Sequence, residues 1–212
     1  MSENPLTIFV PGRLCLFGEH SDWAGLHRMI NADIVPGAAI VTGIEQGIYA
    51  DVEKSDYFLL RNEAPELNDV WVDFDCSMQS AELRNIALSD SYFAYVTGVA
   101  SYIKEHYNVG GMKITIKRMT LPMKKGLSSS AAICVLVARA FNRLYELNLS
   151  TKGEMDIAFR GEQRTRSRCG RLDQFRVPFS QGFMNIPFNF SFSKGITLIQ
   201  IRKYFDGIFF GI

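Results

Sequence analysis

Between residues 112 and 118 the chain alternates, with Met112, Ile114 and Ile116 on one side and Lys113, Thr115 and Lys117 on the other. A period of two predicts a half-buried strand. Further on, Ala131, Ala132, Ile133, Leu136, Val137, Ala140, Phe141 and Leu144 recur at helical spacing and predict a long buried helix. An earlier helix is predicted over residues 90–106, capped by Ser89 or Ser91, striped with Tyr92, Tyr95, Val96, Val99 and Ile103, and stopped by Asn108-Val109-Gly110-Gly111. Thr151 and Glu154 have the spacing of a capping box, which predicts a third helix reaching about residue 164. The first half favours strands. LTIFV and LCLF, broken at Pro11-Gly12-Arg13, predict a tightly connected pair, and AAIVTGI and GIYADVE, parted by Glu45-Gln46-Gly47, predict two more. Residues 58–60 and 70–74 extend this β-rich region, and FMNIPF, ITLIQI and YFDGIFFGI predict three strands in the tail. The pattern is that of an α+β domain, a mixed β-sheet packed by helices.

Composition narrows the function classes. At 212 residues and 47% hydrophobic, the chain is long enough to bury a sizeable core, and a net charge of +1 favours neither nucleic acid nor an anionic membrane as partner. One dense basic segment, Arg160, Arg164, Arg166, Arg168 and Arg171, stands in this near-neutral chain without a nucleic-acid-binding motif around it. Cys15, Cys76, Cys134 and Cys169 lack the paired spacing of zinc or redox motifs and read as free thiols of a reducing, cytoplasmic compartment. The N-terminus has no basic segment followed by an apolar run of signal-peptide length, and no stretch approaches the ~20 apolar residues that cross a bilayer.

Three loops carry candidate chemistry. LPMKKGLSSS runs into the long helix, and a helix start leaves about four N–H groups unpaired and carries roughly half a positive charge, so Ser128, Ser129 and Ser130 can cap the helix or admit an anion such as a nucleotide phosphate to the backbone. Serine is among the commonest N-caps, and this stretch alone favours the plain cap. The Walker form is absent. Residues 18–25, GEHSDWAG, gather Glu19, His20 and Asp22, which can bind the hydroxyls of a polar ligand or simply form a solvated loop. In CGRLDQ, Asp173 follows a glycine turn in an arginine-rich setting, which keeps its carboxylate ionised and suits a proton acceptor.

The order and spacing of PGRLCLFGEHSDWAG, KKGLSSSAA and CGRLDQ resemble the GHMP small-molecule kinases, with the first and third loops most like those of galactokinases. The resemblance covers residues 8–174 and implies the N-terminal, ribosomal-protein-domain-2-like fold of that family. It also implies use of ATP and Mg²⁺: Lys125, Gly126, Leu127, Ser128, Ser129, Ser130 and Ala131 would wrap the phosphates, and Ser130 and Glu162 would meet magnesium. By the same likeness Asp173 would take the proton of a sugar hydroxyl, Arg13 would lie near the transferring group, and Glu19, His20, Asp22 and Gly170 would bind the sugar. The expected reaction is phosphorylation of a monosaccharide hydroxyl. The alternatives are a mevalonate or other GHMP small-molecule kinase, or a non-catalytic nucleotide- or sugar-binding remnant. The first loop departs from the galactokinase pattern at Ser21-Asp22-Trp23-Ala24-Gly25-Leu26. Family members also carry a third, glycine-rich motif in a C-terminal domain. The Phe-rich, acid-poor residues 175–212 show only the spaced Gly182, Gly195, Gly207 and Gly211, so the expectation is an N-terminal ATP-binding domain over residues 1–174, a divergent or truncated tail, and apolar surface open to self-association.

Overall fold

The computed structural model describes residues 5–17, 30–33, 39–65, 73–121, 129–167 and 209–211. Its elements are β1 (Leu6–Phe17), β2 (Ala39–Ser55), β3 (Phe58–Asn62), β4 (Phe74–Cys76), α1 (Ser80–Ala87), α2 (Ala94–His106), β5 (Gly111–Met119), α3 (Ser129–Leu144), α4 (Thr151–Glu162) and β6 (Phe209–Gly211). The strands make one sheet in the order β1-β2-β5-β3-β4, with β6 also on β2. The β3–β5 pair is parallel and the other pairs are antiparallel, which gives the mixed sheet of an α+β fold. The alternation over residues 112–118 does what its period requires: Met112, Ile114 and Ile116 are buried with Ile8, Val10, Ile48, Ala50, Val52, Phe58 and Leu60 in one core. On the opposite face Lys113 and Lys117 pair with Glu53 and Glu63 at 2.8 and 2.5 Å. Helix α3 supplies the other side of the core, with every residue from Ala131 to Phe141 buried.

Two expected turns are strand interiors. Pro11-Gly12-Arg13 is a register shift within the single strand β1, and Pro11 is tolerated because β1 lies at the sheet edge, where a missing N–H breaks no second ladder. Glu45-Gln46-Gly47 lies within the single strand β2. Gly47 is required there by proximity: a Cβ would strike the Phe9 ring. Its backbone also exchanges hydrogen bonds with Thr120, whose N donates to Gly47 O at 3.0 Å and whose Oγ1 accepts from Gly47 N at 2.9 Å.

The helices also depart from expectation. Helix α2 begins at Ala94, because Ser89 and Ser91 cap the turns before it, Ser91 Oγ accepting from Phe93 N at 3.2 Å. Helix α1, too short for a sequence period to show, packs on α2 through the buried Leu83 and Ala87. At α4 the cap is Ser150, whose Oγ accepts from Gly153 N at 3.2 Å, and not Thr151. Glu154 therefore makes no capping box. It is buried, accepting from Arg139 Nε at 3.0 Å and from Asn142 Nδ2 at 2.7 Å, while Arg139 Nη1 donates to Phe9 O at 3.3 Å.

Among the described residues no helix is long and apolar enough to cross a membrane. Cys76 and Cys134 are buried free thiols, and burial, with Glu82 and Asp75 adding, pushes the Cys76 thiol up to about 12. Residues 66–72 and the first two tail strands lie outside the described residues, whereas part of the third is β6.

Replacing Glu154 with Ala strands Arg139 in the interior, so urea unfolding of the Glu154→Ala chain should show a stability loss of ~3–5 kcal/mol, larger than the cost of an ordinary surface substitution.

Candidate functional site

The direction of α3 sets the geometry. Near its C-terminal end Tyr145 Oη donates to Gly111 O at 2.6 Å, and Gly111 pairs with Ser55 at one end of the sheet. Midway along, Arg139 reaches Phe9 in β1. The helix therefore runs from its start near the far end of the sheet, the end where Arg13 pairs with Gly43, back toward Ser55. Leu121, the last described residue before α3, lies at that far end too, since a Cβ on Gly12 would strike its side chain. Arg13 is 3% exposed, and Ser129 and Ser130 begin α3 on its half-buried surface. Arg13 and the electropositive start of α3 thus share one end of the sheet.

Glu162 arrives from a third segment. Because Glu154 at the start of α4 faces Arg139 and Asn142, and α4 then runs antiparallel to α3, eight residues and about 12 Å of helix rise carry Glu162 back toward the start of α3. Its neighbours agree. Tyr92 is half-buried, with its hydroxyl oxygen covered, beside Tyr95, with ring centroids 5.8 Å apart, and Cys134 Sγ is 3.8 Å from Tyr95 O. Desolvation pushes the Tyr92 phenol far above its ordinary value, and Cys134, Tyr95 and Glu162 all add to the rise, so these groups share one interior. Cys134 is one helical turn from Ser130 on the same face of α3. Glu162, 1% exposed, is therefore buried in the interior that Tyr92 and Cys134 share, and Cys134 is one turn from Ser130.

Helices α2 and α4 meet backbone to backbone here. A Cβ on Gly98 would fall on the Gly161 carbonyl oxygen, and a Cβ on Gly161 would come within 2.5 Å of Val99 Cα. This close approach brings the residue after Gly161 into the interior.

Of the expected site residues, Arg13, Ser129, Ser130, Ala131 and Glu162 are described, and the fold brings them to one end. Glu19, His20, Asp22, Lys125, Gly126, Leu127, Ser128, Gly170 and Asp173 lie outside the described residues. The donor set fits a hard divalent cation such as magnesium: a buried carboxylate and a serine hydroxyl are both hard oxygens, and magnesium takes one or two protein carboxylates beside phosphate oxygens. The basic cluster serves internal pairs where it is described. Arg160 pairs with Asp156 at 2.6 Å, Arg164 with Glu105 at 2.7 Å and Arg166 with Asp90 at 3.0 Å. The Gly98–Gly161 contact had no signal in the sequence beyond Gly98 inside one predicted helix and Gly153 and Gly161 inside another.

Comparison with known proteins now decides the family. Residues 94–181 match the GHMP kinases N terminal domain. Over that stretch the chain carries a GHMP kinase N-terminal domain. It is 31% identical over 178 residues to galactokinase of Pyrococcus furiosus and 28% identical over 178 residues to galactokinase of Thermotoga petrophila, in each case covering 83% of this chain and 44% of the relative. The chain thus spans less than half the length of these curated relatives. Its fold is similar to part of that of Lactococcus lactis galactokinase in complex with galactose, with a TM-score of 0.65 at 22% identity over 82% of this chain and 41% of that one. Methanococcus jannaschii mevalonate kinase is similar to nearly the same degree, with a TM-score of 0.62 at 21% identity over 82% of this chain and 51% of that one.

Two glycines of α4 should respond oppositely to alanine. Gly161→Ala drives the helices apart and should cost ~1–3 kcal/mol, whereas at Gly153, where a Cβ meets nothing closer than 3.4 Å, alanine should gain ~0.4–1 kcal/mol in the same melting experiment. The acid limb of stability should carry a Glu105 signature. Hydrogen bonds from Arg164 first, then from Arg84, hold this carboxyl down at about 2. Its folded value lies below its unfolded one, near 4.3. The contribution is therefore present above the unfolded value and lost as pH falls toward 2. Glu105→Gln should flatten the melting temperature against pH in that window and leave its shape at pH 7–9 unchanged.

Proposed function

We propose that this chain is the ATP-binding part of a sugar kinase that phosphorylates a monosaccharide hydroxyl, galactose-like by preference. Residues 1–174 form the ATP-binding domain, and residues 175–212 either complete it or diverge. The observation that carries the reading is the convergence of Arg13, the start of α3 and Glu162 at one end of the sheet. Phosphoryl transfer asks a protein mainly to position groups and neutralise charge, and these residues suit that work.

In this proposal the backbone from Lys125 through Gly126, Leu127, Ser128 and Ser129 to Ala131 presents N–H groups at the positive end of α3 to nucleotide phosphates. The Ser130 hydroxyl and the Glu162 carboxylate would hold magnesium, which supplies positive charge beside the phosphate oxygens. Arg13 adds a fixed cation. Asp173 accepts the proton of the attacking hydroxyl, and Glu19, His20, Asp22 and Gly170 orient the sugar. The fold does not separate galactokinase from mevalonate kinase, since both are close in TM-score. The sugar branch rests on the relatives at 28–31% identity, which are galactokinases.

The test is thermal shift with ATP, with and without Mg²⁺, beside ADP release with galactose and with mevalonate. The reading expects stabilisation by MgATP, ~2.7 kcal/mol at a hundredfold excess over Kd, with the magnesium-dependent part absent in Glu162→Gln. Galactose should release ADP and mevalonate should not. Stabilisation without turnover would make the chain a nucleotide-binding module, and no stabilisation by ATP in any condition sinks the proposal.

A further inference from the structure

Helix α4 ends at Glu162, and helix ends fray. Here the end is tied. Arg164 N donates to Gly161 O at 3.1 Å, and Thr165 N and Oγ1 both donate to Glu162 O, at 3.0 and 2.7 Å. From this closed turn the Arg164 side chain crosses to α2. Its Nη1 donates to Ser101 Oγ at 3.0 Å and its Nη2 donates to Glu105 Oε2 at 2.7 Å, while its guanidinium carbon lies 4.9 Å from the centre of the Tyr102 ring. Ser101 and Glu105 are four residues apart on one face of α2, so one planar fork spans both. The other oxygen of Glu105 is taken by Arg84 of α1, whose Nη2 is 2.6 Å away.

We propose that Arg164 is a positioning residue for Glu162, fastening the last turn of α4 to α2 so that the Glu162 carboxylate holds its place beside Ser130. The inference rests on the reading of Glu162 as a magnesium ligand and adds to it what keeps that ligand in place. Gly98 and Gly161 let the two helices touch, but they offer no side chain to fix how α4 turns or slides against α2. The clamp begins one turn beyond that contact on both helices and supplies the missing attachment. A metal ligand must be held to about half an ångström. An unanchored final turn with a glycine inside it does not meet that requirement. The Arg164–Glu105 pair is half-buried, at 25% and 21% side-chain exposure, and Glu105 also carries the acid-limb signature of stability. Metal affinity of the folded chain, and not the melt, is therefore the readout that isolates positioning.

The test uses Mn²⁺ as a paramagnetic stand-in for magnesium, with free ion measured by electron paramagnetic resonance during titration of the whole chain in saturating ATP. Arg164→Met keeps the aliphatic stem and removes the fork. It should weaken ATP-dependent Mn²⁺ binding about tenfold, the usual cost of losing a residue that supports a ligand, at a temperature where circular dichroism shows the variant fully folded. Glu105→Gln and Ser101→Ala should weaken binding less, and Arg164→Lys should recover part of the loss. Arg84→Met, which removes a partner of Glu105 and leaves the Arg164 fork in place, should bind as the parent does. If Arg164→Met does not fold, Glu105→Gln and Ser101→Ala decide the matter. Parent-like Mn²⁺ affinity in these variants, whatever their melting temperatures, overturns the positioning role and leaves Glu162 as a ligand. Parent-like affinity in Glu162→Gln, or no ATP-dependent Mn²⁺ binding by the parent chain, removes the ligand itself and the positioning role with it.

Discussion

At Gly98 and Gly161 two helices touch backbone to backbone, and the placement of Glu162 at the candidate site depends on that contact. Side chains of ordinary size at either position would set the axes apart by a further 1–2 Å, within the usual 8–10 Å range for packed helices. Such a shift would carry Glu162 away from the face of α3 that bears Cys134 and Ser130. Glycine inside a helix costs about 1 kcal/mol relative to alanine, and α2 and α4 each bear that cost at the one point where they cross. The burial of Val96, Val99, Ala100, Ile157 and Ala158 around the crossing offsets it.

Contact alone does not set the register of one helix against another. Arg139, Asn142 and Glu154 do so, because they fix where α4 starts relative to the middle of α3, and Arg139 extends the same network to the Phe9 carbonyl of β1. A buried ion pair is costly to form and is weak evidence of stability by itself. Its value here is geometric. One guanidinium ties together the three segments that carry Arg13, Ser130 and Glu162, at a point about two turns of helix from all the groups it aligns. The Arg164 clamp closes the far end of α4 in the same way, against α2 in place of α3.

What was legible in the sequence follows from which forces are local. The β5 alternation and the long apolar run of α3 are decided by burial along one element, and both were read correctly. Pro11-Gly12 and Gly47 carried turn signals but sit within strands, because their reasons lie in other elements: a sheet edge that needs no second ladder, and the ring of Phe9. Glu154 matched a capping box three residues after Thr151, but Arg139 and Asn142 claim its carboxylate, and Ser150 takes the cap. The Gly98–Gly161 crossing was invisible for the same reason, since neither helix alone explains its glycine. At the site, the start of α3 and the candidates Arg13 and Glu162 were named from local motifs and from likeness to a family, whereas their meeting at one end of the sheet required the topology.

The signs of charge at that end bear on the proposed chemistry. The start of α3 and the guanidinium of Arg13 are both positive and both near the sheet end, a field that attracts an anion and holds it without rearranging. A buried carboxylate in the same neighbourhood would oppose phosphate binding if nothing lay between the two negative groups, since like charges a few ångströms apart in a low-dielectric site repel strongly. A divalent cation between Glu162 and the phosphates changes the sign of that interaction, turning the carboxylate from an obstacle into a support. In the proposed phosphate site a cation between them would reconcile Glu162 with the helix start, and the carboxylate would help to set where that cation sits. On that proposal a small error in the last turn of α4 would weaken the attraction and restore the repulsion together, so the attachment of that turn to α2 would bear on metal binding through geometry and not only through folding free energy.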